Sequence, residues 1–218
     1  MAYQKLQASR AIAVIPSDTV NIPNPASLAI SSTTTGTAAG KLIDAITGTN
    51  STASLTLTDA AKNFITLGVK VGDTVTNTTT PGTTTVTAVG TTVLTLQSNV
   101  FASAGDGYSV GSFINSGVKI GDIVYSGAIA ATVTAVDSAT QLSVSTGVGA
   151  GAAYKLYASH DIPNNGCVLY VGVAADVKVT TAGGDDVTFT GILAGSFIPV
   201  QVLRVWATGS PTGIIALW

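Results

Sequence analysis

The chain has 218 residues, carries a net charge of −2, and is only 9% charged, against about 25% in an ordinary globular domain. This balance offers no clustered basic face to a phosphate backbone, so nucleic acid is not an expected partner. A mean hydropathy of +0.49 does not predict a membrane partner either, because the sequence has no run of about twenty apolar residues to span one. All eleven acidic residues are aspartate, and Arg10 and Arg204 are the only arginines. Thr, Ser, Gly, Ala and Val fill most of the rest. Thr and Val suit strands, whereas the Glu, Lys, Arg and Leu that favour helices are sparse. The composition predicts an all-β protein with a neutral, hydroxyl-rich surface, and high hydropathy with few charges fits life in an assembly. Cys167 is the single cysteine, which rules out an internal disulfide and predicts a partly buried, inert thiol. Met1–Gln7 is too polar to open a secretory signal.

Taken in order, residues 1–40 read as an extended arm followed by a Thr-rich linker. Pro16, Pro23 and Pro25 hold their preceding residues extended, Ala11–Ile15 suits one short strand, and Ser31–Gly40 reads as a linker or as a strand and turn. Residues 41–111 form a first β repeat with a preceding cap segment, in which Thr58–Phe64 offers a helix N-cap and suits one short turn of helix. The repeat is legible directly. Phe64-Ile65-Thr66-Leu67-Gly68-Val69-Lys70-Val71-Gly72-Asp73 returns 49 positions later as Phe113-Ile114-Asn115-Ser116-Gly117-Val118-Lys119-Ile120-Gly121-Asp122. Val86–Val89, Leu94–Leu96 and Tyr108–Val110 return as Val133–Val136, Leu142–Val144 and Tyr154–Leu156. One supersecondary unit used twice, with four or so strands in each copy, predicts two tandem barrel-like or sandwich-like modules, the second over residues 112–158.

Residues 159–218 are the expected base and assembly domain. They open on a turn-rich junction whose Ile162-Pro163-Asn164 echoes Ile22-Pro23-Asn24. This echo predicts that the N-terminal arm and the C-terminal segment make one β-sandwich or barrel, with the repeats inserted between them. Asp176–Thr181 and Asp186–Thr190 alternate around Ala182–Asp185 as a hairpin. Phe197–Ala207 is apolar on both faces and so needs a cover on both, from its own chain or from another copy. Ile214–Trp218 reads as the final strand.

The last fifty or so residues also carry a family resemblance. Val177–Asp185, Pro199-Val200, Arg204-Val205-Trp206-Ala207-Thr208-Gly209 and Thr212-Gly213-Ile214-Ile215-Ala216-Leu217-Trp218 resemble, in order and spacing, the spike-base proteins of tailed-phage heads and phage-like gene transfer agents. Ser17-Asp18-Thr19-Val20-Asn21-Ile22 is a weaker echo of the same family. The resemblance implies a non-enzymatic virion structural protein, a capsid decoration protein or head spike base on the capsid surface. Its implied partners are copies of itself in a trimer or pentamer, the major capsid protein, and a head fibre protein. Within that reading Ile198, Val200, Val202, Trp206 and Trp218 are the candidate assembly-interface residues. A carbohydrate-binding adhesin is the alternative, although Tyr108, Tyr125, Tyr154 and Tyr157 are the only Tyr or Trp side chains in the repeats.

Chemistry-bearing motifs are scarce. Each repeat's Gly-Asp could offer a carboxylate to Ca²⁺ or to a sugar, but one carboxylate per motif falls short of the several that Ca²⁺ gathers. A tight turn, with the aspartate bonding its own backbone, explains the motif better. Asp185 and Asp186 are adjacent on an extended chain and point to opposite faces. His160 and Cys167, the only members of their types, flank a turn with no orienting partner and cannot make a usual zinc site. There is no nucleophile elbow, phosphate loop or dinucleotide fingerprint. The expectation is therefore no catalytic residue, no metal and no cofactor.

Overall fold

The computed structural model describes residues 8–36, 38–209 and 212–218. It is 46% strand in three antiparallel sheets, and among the described residues the only helical element is a 3₁₀ turn at Pro25–Ser27, whose entry is capped by Asn24 Oδ1 accepting from the Ala26 amide. The chain opens with β1 (Ala11–Ala13), β2 (Leu28–Thr33), β3 (Lys41–Ile43), β4 (Ile46–Thr49) and β5 (Thr56–Thr58). The first repeat supplies β6 (Thr74–Asn77), β7 (Gly82–Val89), β8 (Val93–Leu96) and β9 (Gly107–Gly111). The second supplies β10 (Ile123–Ser126), β11 (Ile129–Val136), β12 (Gln141–Val144) and β13 (Ala153–Tyr157). The last third supplies β14 (Cys167–Val171), β15 (Ala175–Thr181), β16 (Asp186–Ile192), β17 (Ser196–Val205) and β18 (Ile214–Leu217).

The two repeats build the same sheet. Strand order is β4-β9-β6-β7-β8-β5 in one and β2-β13-β10-β11-β12-β3 in the other, position for position the same path. The edge strands come from places the sequence reading did not assign. Residues 28–33, expected in the arm and linker, form β2 at one edge of the second repeat's sheet, and β3, expected in a cap on the first repeat, forms its other edge. The first repeat draws its own edges from β4 and β5. The second repeat is therefore discontinuous in sequence, with the whole first repeat inserted between β3 and β10. The physical reason is that four alternating strands leave two open edges, and each copy closes them with the short strands that its tyrosine and turn hydrogen bonds recruit.

The Thr58–Phe64 segment forms no helix; Thr58 ends β5, and Asp59 Oδ1 accepts from the Ala61 amide in a turn. A single hydrogen-bonded turn lies a few residues later, where Leu67 N donates to Asn63 O, and the second repeat matches it where Ser116 N donates to Ser112 O. Both turns end at a glycine with positive φ, Gly68 at 79° and Gly117 at 71°, a conformation that needs no Cβ.

The third sheet, in the order β1-β18-β14-β17-β15-β16, joins the N-terminal arm to the last third of the chain. β1 pairs with β18, Ser17 N donates to Val205 O and Ile22 N donates to Leu203 O. The core of this base domain gathers Val14 and Ile22 from the arm with Leu169, Val171, Val177, Val179, Ile198, Val202, Val205 and Ile214. By compactness the chain divides into two units. One holds residues 1–31, 121–132 and 155–218, and the other holds residues 32–120 and 133–154.

Candidate assembly surface

The base sheet buries one face and presents the other. Along β14, Cys167, Leu169 and Val171 are buried, which turns Val168 and Tyr170 outward. Along β18, Ile214 and Ala216 are buried, which turns Ile215 and Leu217 outward. The register aligns the outward residues into two cross-strand rows. Ala13 faces Ile215, which faces Tyr170, which faces Phe197. Ala11 faces Leu217, which faces Val168. Tyr170 and Phe197 meet edge to face with ring centroids 5.4 Å apart, and Phe197 remains 58% exposed. None of these seven positions carries a charge; Ala11, Ala13 and Phe197 are exposed and the other four are half-buried, so the half of the outer face built by β1, β18, β14 and the start of β17 is an uncharged, partly exposed apolar surface.

The other half is polar and organised around Trp206. Its indole Nε1 donates to Thr180 Oγ1 at 3.0 Å, and Arg204 Nε and Nη2 donate to the same oxygen at 3.3 and 3.1 Å. The Thr180 hydroxyl donates in turn to Asp186 Oδ1 at 2.6 Å. Lys178 Nζ lies 3.6 Å and the Arg204 guanidinium carbon 4.8 Å from the indole centroid, cation–π distances that hold the ring in place. Arg204 Nη1 also donates to Asp18 O at 3.2 Å. The Thr208 amide, donating to Asp18 Oδ1, holds that carboxyl below its ordinary range, and so ties the Ser17–Ile22 segment to Arg204–Gly209.

The structure redistributes the predicted interface residues. Ile198 is 1% exposed and Val202 is fully buried, so the chain's own core covers them. Val200 and Trp218 are partly buried and pack against that same core, with Trp218 Nε1 donating to Asn164 Oδ1 at 3.3 Å. Trp206 alone of the five lies on the outer face. The expectation that β17 needs a cover on both sides is met on one side from within, where Val14 and Ile22 of the arm join the core with Ile198, Val202 and Val205, while Phe197 and Pro199 stay exposed on the other. Sequence reasoning missed Val168, Tyr170, Ile215 and Leu217. The available signal was that Cys167–Val171 and Ile214–Leu217 are apolar at both parities, so that either face exposes hydrocarbon.

The remaining candidates are structural. Gly72 and Gly121 have φ of 93° and 95°, and Asp73 Oδ2 accepts from the Lys70 amide at 2.8 Å, the turn that the repeated motif predicts. Asp73 Oδ1 accepts from Asn115 Nδ2 at 2.9 Å. The equivalent Asp122 is fully buried and accepts from the His160 amide and from His160 Nδ1. His160 Nε2 lies 3.2 Å from Asp161 Oδ2. Cys167 is buried, its thiol donating to Val202 O at 3.2 Å, and burial pushes its pKa up to about 12, which makes it a poor nucleophile. Among the described residues no group of three or more His, Cys or Asp side chains converges to hold a metal, and no helix is long and apolar enough to cross a membrane.

Comparison with known protein families, curated proteins and solved structures returns no significant match.

Proposed function

We propose that the chain is a non-enzymatic structural protein of a virion, a capsid decoration protein or head spike base that self-associates and attaches to the capsid surface through its base domain. One observation carries this reading. The residues that resemble spike-base proteins, with the weaker N-terminal echo, all fall in one base domain, and the outer face of that domain carries an uncharged apolar half. A partly exposed apolar surface that carries no charge and ends on the exposed Phe197 favours a protein partner. Its aromatic centre, Tyr170 beside Phe197, suits an interface anchor. Buried apolar area would hold copies together, with the rim around Trp206 and Arg204 giving polar specificity. A glycan-binding role has less support, because the Trp206 ring is already stacked by Lys178 and Arg204.

The test uses Tyr170→Asp with Phe197→Asp. Both side chains lie outside the core, so the variant keeps its circular dichroism spectrum. Losing a buried aromatic anchor costs about 2 kcal/mol, roughly thirtyfold in affinity per contact. Light scattering should move from oligomer towards monomer, and co-sedimentation with capsids of a host phage should fall in parallel. A wild type that is strictly monomeric and binds no capsid would overturn the proposal.

A further inference from the structure

The base sheet ends in a strand edge that its outer face does not use. β16 is last in the order β1-β18-β14-β17-β15-β16, and among the described residues no strand pairs with its far side. Its neighbours fix the direction of its backbone groups. Trp206 N donates to Lys178 O and Ala182 N donates to Gln201 O, so the even-numbered residues of β15 turn towards β17. Thr181 N donates to Asp185 O, so the odd-numbered residues turn towards β16. Phe189 and Val187, opposite Val177 and Val179, therefore use their N–H and C=O groups on β15. Asp186, Thr188 and Thr190 direct theirs to the open side. Gly184 and Gly191, with φ of 92° and 65°, bound this regular stretch. It contains no proline and no lysine, residues that commonly blunt an edge. Val187 and Phe189 share the face of the fully buried Val179 and Val177, yet Val187 is 38% exposed. The face of the core thus continues to the edge and is partly open there.

We propose that β16 pairs antiparallel with β16 of a second copy, about a two-fold axis at Thr188, so that the two base sheets become one. Self-complementarity selects this occupant. A register centred on Thr188 sets Thr188 opposite Thr188, Asp186 opposite Thr190, and Val187 opposite Phe189. Every outward N–H and C=O of the stretch then meets a partner, because residues 186, 188 and 190 all fall at hydrogen-bonded positions. A shift by two residues would run the pairing past Gly191 or into the Gly184 turn and leave some of them unpaired. Val187 against Phe189 carries the apolar face from one core to the next, while threonine meets threonine on the other side. The nearby charges do not select the partner. Asp186 Oδ1 accepts from Thr180 Oγ1, the oxygen that also accepts from Arg204. The two Asp186 side chains lie about 13 Å apart along the strand, beyond the screening length of about 8 Å at physiological salt. Asp185 and Asp176, the latter accepting from the Gly191 amide, lie at or beyond the ends of the paired stretch, and Lys178 lies over Trp206. The contact is isologous. It sits at the opposite end of the sheet from β1 and β18, apart from the Tyr170–Phe197 face.

The experiment uses the full chain in the Tyr170→Asp with Phe197→Asp background as well as in wild type, so that this contact and the outer face are read separately. Thr188→Pro removes an N–H that points away from β15, so the β15–β16 ladder and the circular dichroism spectrum should survive. Self-association of the background protein, measured by sedimentation velocity, should weaken by about tenfold or more in Thr188→Pro. Single cysteines then test the register, since the native Cys167 is buried. Two copies of Thr188→Cys bring their Cα atoms to about 5.5 Å, within disulfide reach, and should cross-link on mild oxidation. Thr190→Cys is the control, because its two copies lie about 13 Å apart along the strand and should stay uncrosslinked. The proposal is overturned if Thr188→Cys cross-links no faster than Thr190→Cys, or if Thr188→Pro associates like its parent. It is likewise overturned if the background protein is monomeric while Thr188→Pro in wild type abolishes co-sedimentation with capsids, because the edge would then take a strand of a capsid protein.

Discussion

The two repeats solve one folding problem with different chain connectivity. In the first, all six strands, β4 to β9, are consecutive. In the second, β2 and β3 are separated from β10–β13 by the whole of the first repeat. Yet the same polar contacts recur. Tyr108 Oη donates to Asp59 Oδ2 at 2.7 Å, and Tyr154 Oη donates to Asp44 Oδ2 at 2.7 Å. Asn50 N donates to Asp106 O, and Thr34 N donates to Ala152 O. Phe64 N donates to Thr91 O, and Phe113 N donates to Ala139 O. A set of hydrogen bonds that survives a change of connectivity specifies the module, and the order of its pieces along the chain is secondary. The insertion is tolerated because it begins and ends on paired strands. Ile46 faces Val110 across β4 and β9, and the second repeat likewise closes where Ala158 N donates to Ser27 O.

The copies differ most at the carboxylate that follows the repeated glycine. Asp73 is held by Asn115, from the repeat that follows it, and Asp122 by His160, from the segment that leads into the base domain. Each module's buried carboxylate therefore bonds the next stretch of chain. Asp122→Ala should be the more severe change, because it strands two His160 donors beside a fully buried site; a loss of about 3 kcal/mol is expected from urea unfolding. Asp73→Ala should cost about 2 kcal/mol, since Asn115 can turn to water. Equal losses at the two sites would remove the distinction.

The tyrosine pairs give a smaller contrast. Tyr108→Phe leaves Oδ2 of the buried Asp59 without its phenol donor and should cost about 2 kcal/mol, whereas Tyr154→Phe should cost about 1 kcal/mol because Asp44 is half-exposed and can hydrate. Both phenols, with Tyr125 and the Cys167 thiol, are pushed above their ordinary values by burial, which holds the protonated forms. Groups raised on folding stabilise fully below their unfolded values, 9.0 for the thiol and 10.0 for the phenols, and lose that contribution as pH rises past them. The melting temperature should therefore be flat from neutral pH to about 9 and fall steeply above it, less steeply in Tyr108→Phe. A melting temperature unchanged at pH 11 would contradict the assignment.

Excision should have the smallest effect. Removing Ile46–Val110 and joining Ala45 to Gly111 bridges positions that flank a strand pair, where Cα atoms lie about 5 Å apart. The shortened protein should melt cooperatively within a few degrees of the full chain in differential scanning calorimetry. A molten product would mean that the second repeat depends on the first.

Much of the fold is legible in the residues themselves. Low charge, abundant Thr and Val, and glycine-bounded alternation determine an all-β chain, and the Phe64 and Phe113 blocks determine that one module occurs twice, because periodic burial writes itself into sequence at period two. The positive φ that Gly72 and Gly121 adopt follows from the same local logic. Other features required the tertiary structure. Leu42-Ile43-Asp44-Ala45 and Leu57-Thr58-Asp59-Ala60 are equivalent strand ends, but at four residues the likeness is too short to stand out until Tyr154 and Tyr108 are seen bonding their aspartates. Edge strands of three residues, such as β3 and β5, carry too little alternation to announce themselves, and long-range pairing alone makes them strands. The face of the candidate surface was hidden for a related reason. Ile198, Val202, Val168 and Tyr170 are all apolar, so composition cannot say which of them the core takes. Pairing with β14 turns Ile198 and Val202 inward and leaves Val168, Tyr170 and Phe197 on the outside, because a strand shows alternate residues to opposite sides and only its neighbours decide which side is buried.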